Sequence, residues 1–182
     1  MKHLKDILNQ NIHEGLKLGS SKINQYTEHP KSKQELIDIL KERLKKDHDA
    51  DLNDIDVSAI TNMSNLFAGL DPHNIKIDQW DVSNVNTMFG MFWECYNFNG
   101  DLSKWYTPKV KSMSAMFWKC NNFNSDLSKW DVSSCNVFEY MFLNCRKFDC
   151  DLNKWKVNKK AKIYGMFDET ELEDHPPKWF HK

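Results

Sequence analysis

No stretch of the chain strings together the roughly 20 apolar residues that a bilayer-crossing helix needs, so such a helix is excluded. No charge of one sign dominates either. Twenty-five Lys+Arg against 26 Asp+Glu leave a formal charge of -1, too little to hold a phosphate backbone, so nucleic acid is not expected as a partner. The opening run Met1-Lys2-His3-Leu4-Lys5-Asp6-Ile7-Leu8 is interrupted by charge before a signal-peptide core can form. As it stands the chain reads as cytoplasmic; a cell-surface or virion location would follow if a leader had been removed or the protein were phage-encoded. Five cysteines, the first at Cys95, form an odd set without a signal and favour reduced thiols. Seven histidines carry no His-Glu-x-x-His frame, and no Cys-x-x-Cys, P-loop, dinucleotide or nucleophile motif is present. The expectation is a protein that is not an enzyme and holds no cofactor.

What the 182 residues do have is periodicity, and 40% hydrophobic content to build a core with. Trp80, Trp105, Trp130 and Trp155 recur every 25 residues, with Trp179 following after 24. Ile55 occupies the same column one unit earlier. Met63, Met88, Met113, Phe138 and Ile163 form a second column, and Leu66, Met91, Met116, Met141 and Met166 a third. Phe67, Phe92, Phe117, Phe142 and Phe167 follow at once; Cys95, Cys120 and Cys145, then Phe98, Phe123 and Phe148, complete the apolar set. A 25-residue unit cannot bury these side chains alone, but stacked copies give a continuous interior. The alternation around Leu102 and Trp105 suits a short strand, and the 3, 1, 3 spacing of Met88, Met91, Phe92 and Cys95 suits one short helix. Asn97, Asn99 and Gly100 read as turn residues.

Phe98-Asn99-Gly100-Asp101-Leu102-Ser103-Lys104-Trp105, and Trp80-Asp81-Val82-Ser83-Asn84-Val85 followed by Met88, Met91-Phe92 and Cys95, resemble the BspA-like, leucine-rich-repeat-related surface-protein repeats of gut bacteria, protists and mycoplasma lipoproteins. The similarity spans roughly residues 50–179. It implies an adhesion or protein-interaction scaffold, and with the periodicity an α/β class: a leucine-rich-repeat-like right-handed solenoid of about five 25-residue coils. The expected organisation is an N-terminal extension over 1–31, a helical cap over 32–54, the repeats over 55–179 and a tail over 180–182. Ser32 and Glu35 read as a capping box for a helix carrying Leu36, Ile37, Leu40 and Leu44 on one face. Leu4, Ile7, Leu8 and Ile12 could form a further amphipathic helix, either packed or docking a partner. Tyr106-Thr107-Pro108 departs from the Asp-Val-Ser turn, and the last unit loses the second Phe and the Asp-Leu columns.

Metal readings are weaker than bland ones. The Cys95, Cys120 and Cys145 column offers one sulfur per coil and reads as core. Cys150 stands in a turn and is the thiol expected to be most exposed. Asp101, Asp126 and Asp151 could line up for calcium, but Lys104, Lys129 and Lys154 should screen them. Function is sought instead where bulky residues fall in varying columns. Trp93, Trp118 and Leu143 share one such column, with Phe89, Tyr96, Tyr140 and Arg146 nearby. These seven residues are the candidate protein-binding patch; the open alternative is that Trp93 and Trp118 only fill the groove between coils. A structural role in a larger assembly such as a phage virion, and carbohydrate binding on stacked Trp faces, are the other function classes.

Overall fold

The computed structural model describes residues 26–181. Its single α-helix among the described residues, α1, runs Lys33–Lys46. Ser32 caps it, its Oγ accepting from Glu35 N at 3.2 Å. The reciprocal half of the box is displaced by one residue, since the Glu35 carboxylate accepts from Lys31 N rather than from Ser32 N. Leu36, Leu40 and Leu44 are fully buried and join the same core as the repeats, while Ile37 and Ile39 are partly covered. The helix thereby closes one end of the stack. Arg43 reinforces the seam through its ion pair to Asp54, which also accepts from Thr27 Oγ1. Residues 27–28 lie alongside the first coil, with Glu28 bridged in parallel to Ile55. The segment holding Leu4, Ile7, Leu8 and Ile12 lies outside the described residues.

The expected α/β architecture is not what the repeats build. Beyond α1, the described residues contain no named strand and no second helix; the coils meet in isolated parallel bridges, Asn62 to Thr87, Thr87 to Ser112, Ser112 to Val137 and Val137 to Lys162. Between the bridges each coil is a succession of turns. Met91 N donates to Met88 O at 3.2 Å, and Cys95 N to Phe92 O at 3.0 Å. The third residue of each turn is left-handed: Gly90 at φ 58° and Glu94 at φ 60°. A left-handed residue at every fourth position stops a right-handed helix from propagating. The 3, 1, 3 spacing is therefore satisfied by two consecutive β-turns as well as by a helical turn, and the turns win.

The pattern repeats in register. Asn65, Gly90, Ala115, Tyr140 and Gly165 are left-handed in the first turn, and Gly69, Glu94, Lys119, Asn144 and Glu169 in the second. Backbone groups left over by the turns bond to the neighbouring coil: Met88 N to Ser112 O, Gly90 N to Ser114 O, Phe92 N to Met116 O and Glu94 N to Trp118 O, all 2.8–3.0 Å. The polar backbone is thus satisfied without regular secondary structure. The departure at Tyr106-Thr107-Pro108 is absorbed. Val110 N still donates to Thr107 O, and buried Thr107 spends its hydroxyl on Asp131 O at 3.0 Å. In the neighbouring coils Asp81 and Asp131 accept from Ser83 N and Ser133 N. Here the acceptor is lost to Tyr106 and the donor to Pro108, which has no N–H, so neither is orphaned.

Side-chain columns form the interior. The rings Phe67, Phe92, Phe117, Phe142 and Phe167 stack at 4.9–5.8 Å and within 5° of parallel. Phe98, Phe123 and Phe148 run beside them, each 4.0 Å from the Phe of its own coil. Every Trp of the first column donates its indole N–H to a carbonyl one coil back, Trp80 to Leu52, Trp105 to Ile77, Trp130 to Leu102, Trp155 to Leu127 and Trp179 to Leu152, at 2.7–2.9 Å. Phe180 packs edge-on against Phe167 and Trp179, so the last coil is covered beyond Trp179. Among the described residues no helix is long and apolar enough to cross a membrane.

Candidate binding face

In each coil the segment from the second column to the cysteine column sends Met88, Met91, Phe92 and Cys95 inward and leaves Phe89, Trp93 and Tyr96 to the outside. Stacking coils converts those outward positions into rows. Trp93 and Trp118 lie ring on ring, centroids 5.5 Å apart and 8° from parallel. Tyr140 continues the row, 6.2 Å from Trp118, and meets Tyr164 edge-on at 5.4 Å. Tyr164 was not among the sequence candidates, although it shares the Phe89 column three coils on.

Exposure divides the group. Phe89, Tyr96, Tyr140 and Tyr164 are 40%, 45%, 37% and 70% exposed, whereas Trp93, Trp118 and Leu143 are half-buried. Arg146 is exposed on the same side. The structure joins Trp93, Trp118 and Tyr140 in one stack; Leu143 continues the Trp93 and Trp118 column in the next coil, and Phe89, Tyr96 and Arg146 flank it in neighbouring columns. The indole N–H groups of Trp93 and Trp118 are buried with no hydrogen-bond partner, in contrast to the satisfied first-column Trp residues. Lys119 bonds to Glu94 at 2.7 Å and places its ammonium 5.8 Å from the Trp118 ring centre. That hydrogen bond to Glu94 holds the Lys119 amine above its ordinary pKa.

Tyr140 stands out in its backbone. At φ 60° it occupies a position that glycine fills in two of the other coils, Gly90 and Gly165. A bulky residue there costs about 1–2 kcal/mol. Gly165 is in turn required beneath it, because a Cβ at Gly165 would come within 2.7 Å of the Tyr140 ring.

The remaining sequence candidates resolve into structure. Cys95, Cys120 and Cys145 each donate the thiol to a Phe carbonyl one coil back, Phe67, Phe92 and Phe117, at 3.4, 3.0 and 2.7 Å. Burial pushes all three thiols well above their usual pKa, away from the thiolate that a metal requires. Cys150 is half-buried, and its sulfur accepts from Leu127 N at 3.3 Å as Ser125 Oγ does from Leu102 N at 2.9 Å. Asp101, Asp126 and Asp151 turn back to accept from the amide two residues on, Ser103, Ser128 and Asn153, each at 2.9 Å. Lys104 bonds to Asp78 at 2.7 Å, which holds that carboxyl below the usual range, and still interacts electrostatically with Asp101; Lys129 and Lys154 act in the same way on Asp126 and Asp151, whose carboxyls are lowered first by their hydrogen bonds to Ser128 and Asn153.

Fold and surface together define a stack of short turn-built coils with an aromatic row along one side. The family described as "Mycoplasma protein of unknown function, DUF285" matches residues 38–136 and, in an overlapping alignment, 61–179. The chain belongs to that family. No curated protein and no solved structure matches it.

Proposed function

We propose that the protein is a non-enzymatic recognition scaffold that binds a protein partner through the aromatic row and its exposed flanks. The observation that carries this reading is Tyr140. It holds a large ring on the surface at a left-handed backbone position, where glycine would relieve the strain, and the ring lies against Trp118 and Gly165. Strain retained at an exposed aromatic is a reason to look for a role outside folding. Tyr, Trp and Arg are also the residue types that dominate binding energy at protein interfaces. The resemblance of the repeats to BspA-like surface proteins supports an adhesive role, which would require presentation at the cell surface. Sugar stacking is less well served, because the Trp93 and Trp118 faces already cover one another.

The test separates binding from folding. Tyr140→Gly is expected to leave the melting temperature unchanged or raise it, since the left-handed position is relieved by about 1 kcal/mol. Together with Phe89→Ser and Tyr96→Ser it should abolish capture of the partner that wild-type protein retains from extracts of the source cell and its surroundings. Equal capture by wild type and triple variant of the same stability would sink the reading. Wild-type capture lost instead on deleting residues 1–30 would place recognition in the N-terminal segment and favour the assembly role.

A further inference from the structure

The second phenylalanine column changes chemistry towards the α1 end. Continuing Phe148, Phe123 and Phe98 backwards at 25-residue intervals gives His73 and His48. Their rings keep the stack, with centroids 5.0 Å apart and 20° from parallel. Packing alone would be served by phenylalanine, as in the three coils that follow. Imidazole adds nitrogen atoms, and in both rings a nitrogen faces Asp71.

His48 Nδ1 lies 2.8 Å from Asp71 O. A carbonyl can only accept, so the neutral ring carries its proton on Nδ1 and leaves the Nε2 lone pair free. A hydrogen bond from one ring nitrogen to a backbone carbonyl is the usual device for orienting a histidine that binds metal through the other. Asp71 Oδ2 lies 3.5 Å from His73 Nε2, while its Oδ1 accepts from Asn97 Nδ2 at 3.2 Å. The backbone holds the group together: His73 N donates to His48 O at 2.8 Å, and Asp71 sits at φ 47°. One ligand atom from each of the three residues falls within 4.8 Å of the other two. Neighbouring Asp49 is otherwise engaged, accepting from both the backbone and side-chain nitrogens of Asn74.

We propose that His48, Asp71 and His73 form a binding site for a zinc-type transition-metal ion, clamping the exit of α1 to the first coil. Two imidazoles and one carboxylate, completed by water, suit tetrahedral zinc; calcium and magnesium would require a set made of oxygens. Ligand atoms around tetrahedral zinc stand about 3.3 Å apart, so the site must contract on binding. The exposed side chains of His48 and Asp71 have the freedom to do so. An ion held there would bind the folded stack and not the unfolded chain, and so would raise the melting temperature.

The column supplies its own control. Zinc titrated into the full-length chain by calorimetry should bind at one site of about micromolar affinity and shift the imidazole resonances of His48 and His73 in NMR spectra. His73→Phe extends the Phe98 row by one ring, so it should fold with an unchanged or higher metal-free melting temperature. Zinc affinity should nevertheless fall at least about tenfold. Asp71→Asn, which keeps a residue tolerant of positive φ, should lose zinc likewise and reads the site even if His73→Phe folds poorly. Wild-type protein that binds no zinc at about 100 times the expected dissociation constant overturns the proposal. So does zinc binding of unchanged affinity in the variants, or resonance shifts confined to other histidines.

Discussion

The seven Trp residues illustrate how one side chain serves two purposes. In the first column the indole N–H reaches a carbonyl one coil back, so the ring packs and bonds at once. Trp93 and Trp118 bury the same group without a partner. An unpaired buried donor costs about 1–3 kcal/mol, whereas losing one member of a satisfied pair leaves the other unsatisfied. Trp105→Phe should therefore destabilise the protein by about 2–4 kcal/mol, because Ile77 O loses its donor and a cavity opens. Trp93→Phe keeps the ring stack and removes an orphan, so it should fall within about 1 kcal/mol of wild type or be more stable. Paired urea melts check both; equal losses in the two variants would refute the distinction. From the sequence the two sets of Trp could be told apart by column, but not by hydrogen bonding, since the acceptor carbonyls lie 27–28 residues away.

At the scale of the turn, the repeated element is fixed by two left-handed positions and, in the three coils of Cys95, Cys120 and Cys145, by one buried thiol. The thiol closes the second turn against the coil before it, and its burial has a thermodynamic consequence. Folded-state pKa values raised above the unfolded value stabilise the fold fully below the ordinary thiol pKa of about 8.5. That contribution is lost as pH rises from there towards the folded value. Each buried thiol among Cys95, Cys120 and Cys145 should thus subtract about 1.4 kcal/mol per pH unit above that point. Cys135, whose pKa burial raises to about 11, adds to the same slope up to that pH. Denaturant melts between pH 8 and 10 should show the decline, and Cys120→Ala should reduce its slope. Pattern reading failed at this scale. A 3, 1, 3 spacing reports which side chains face inward and is silent on the sign of φ, which glycine betrays at Gly90 and Gly165 but Tyr140, Glu94 and Lys119 conceal.

At the scale of the molecule, each coil touches its neighbours through the same columns, so the stack is held by a sum of equivalent interfaces. Deleting residues 105–129 joins Lys104 to Trp130 and returns every column to register. The shortened protein should remain folded and unfold cooperatively at a lower melting temperature. Deleting 12 residues from the same region, half a period, would set Phe and Trp against turn positions and should abolish the cooperative transition. Circular dichroism and calorimetry distinguish the outcomes; equal behaviour of the two deletions would contradict a structure held by columns. α1 belongs to this scale too. Its three buried leucines were legible as one amphipathic face, and what they cover is the first coil's end of the common core.

The amino-acid sequence determined the period and the identity of the core, because burial is periodic wherever coils of equal length are superposed and apolar side chains must return to the same inner face. It also marked the columns in which large aromatics are not demanded by the core. Only the tertiary structure decided that turns and isolated bridges replace helices and strands, since the bonds between coils that satisfy the backbone groups left over by the turns link residues 24–28 apart and leave no local signature. The same one-coil separation explains why Tyr164 joined the aromatic row and why His48 came to share a site with Asp71 and His73. Neither grouping exists along the chain until one coil is laid upon the next.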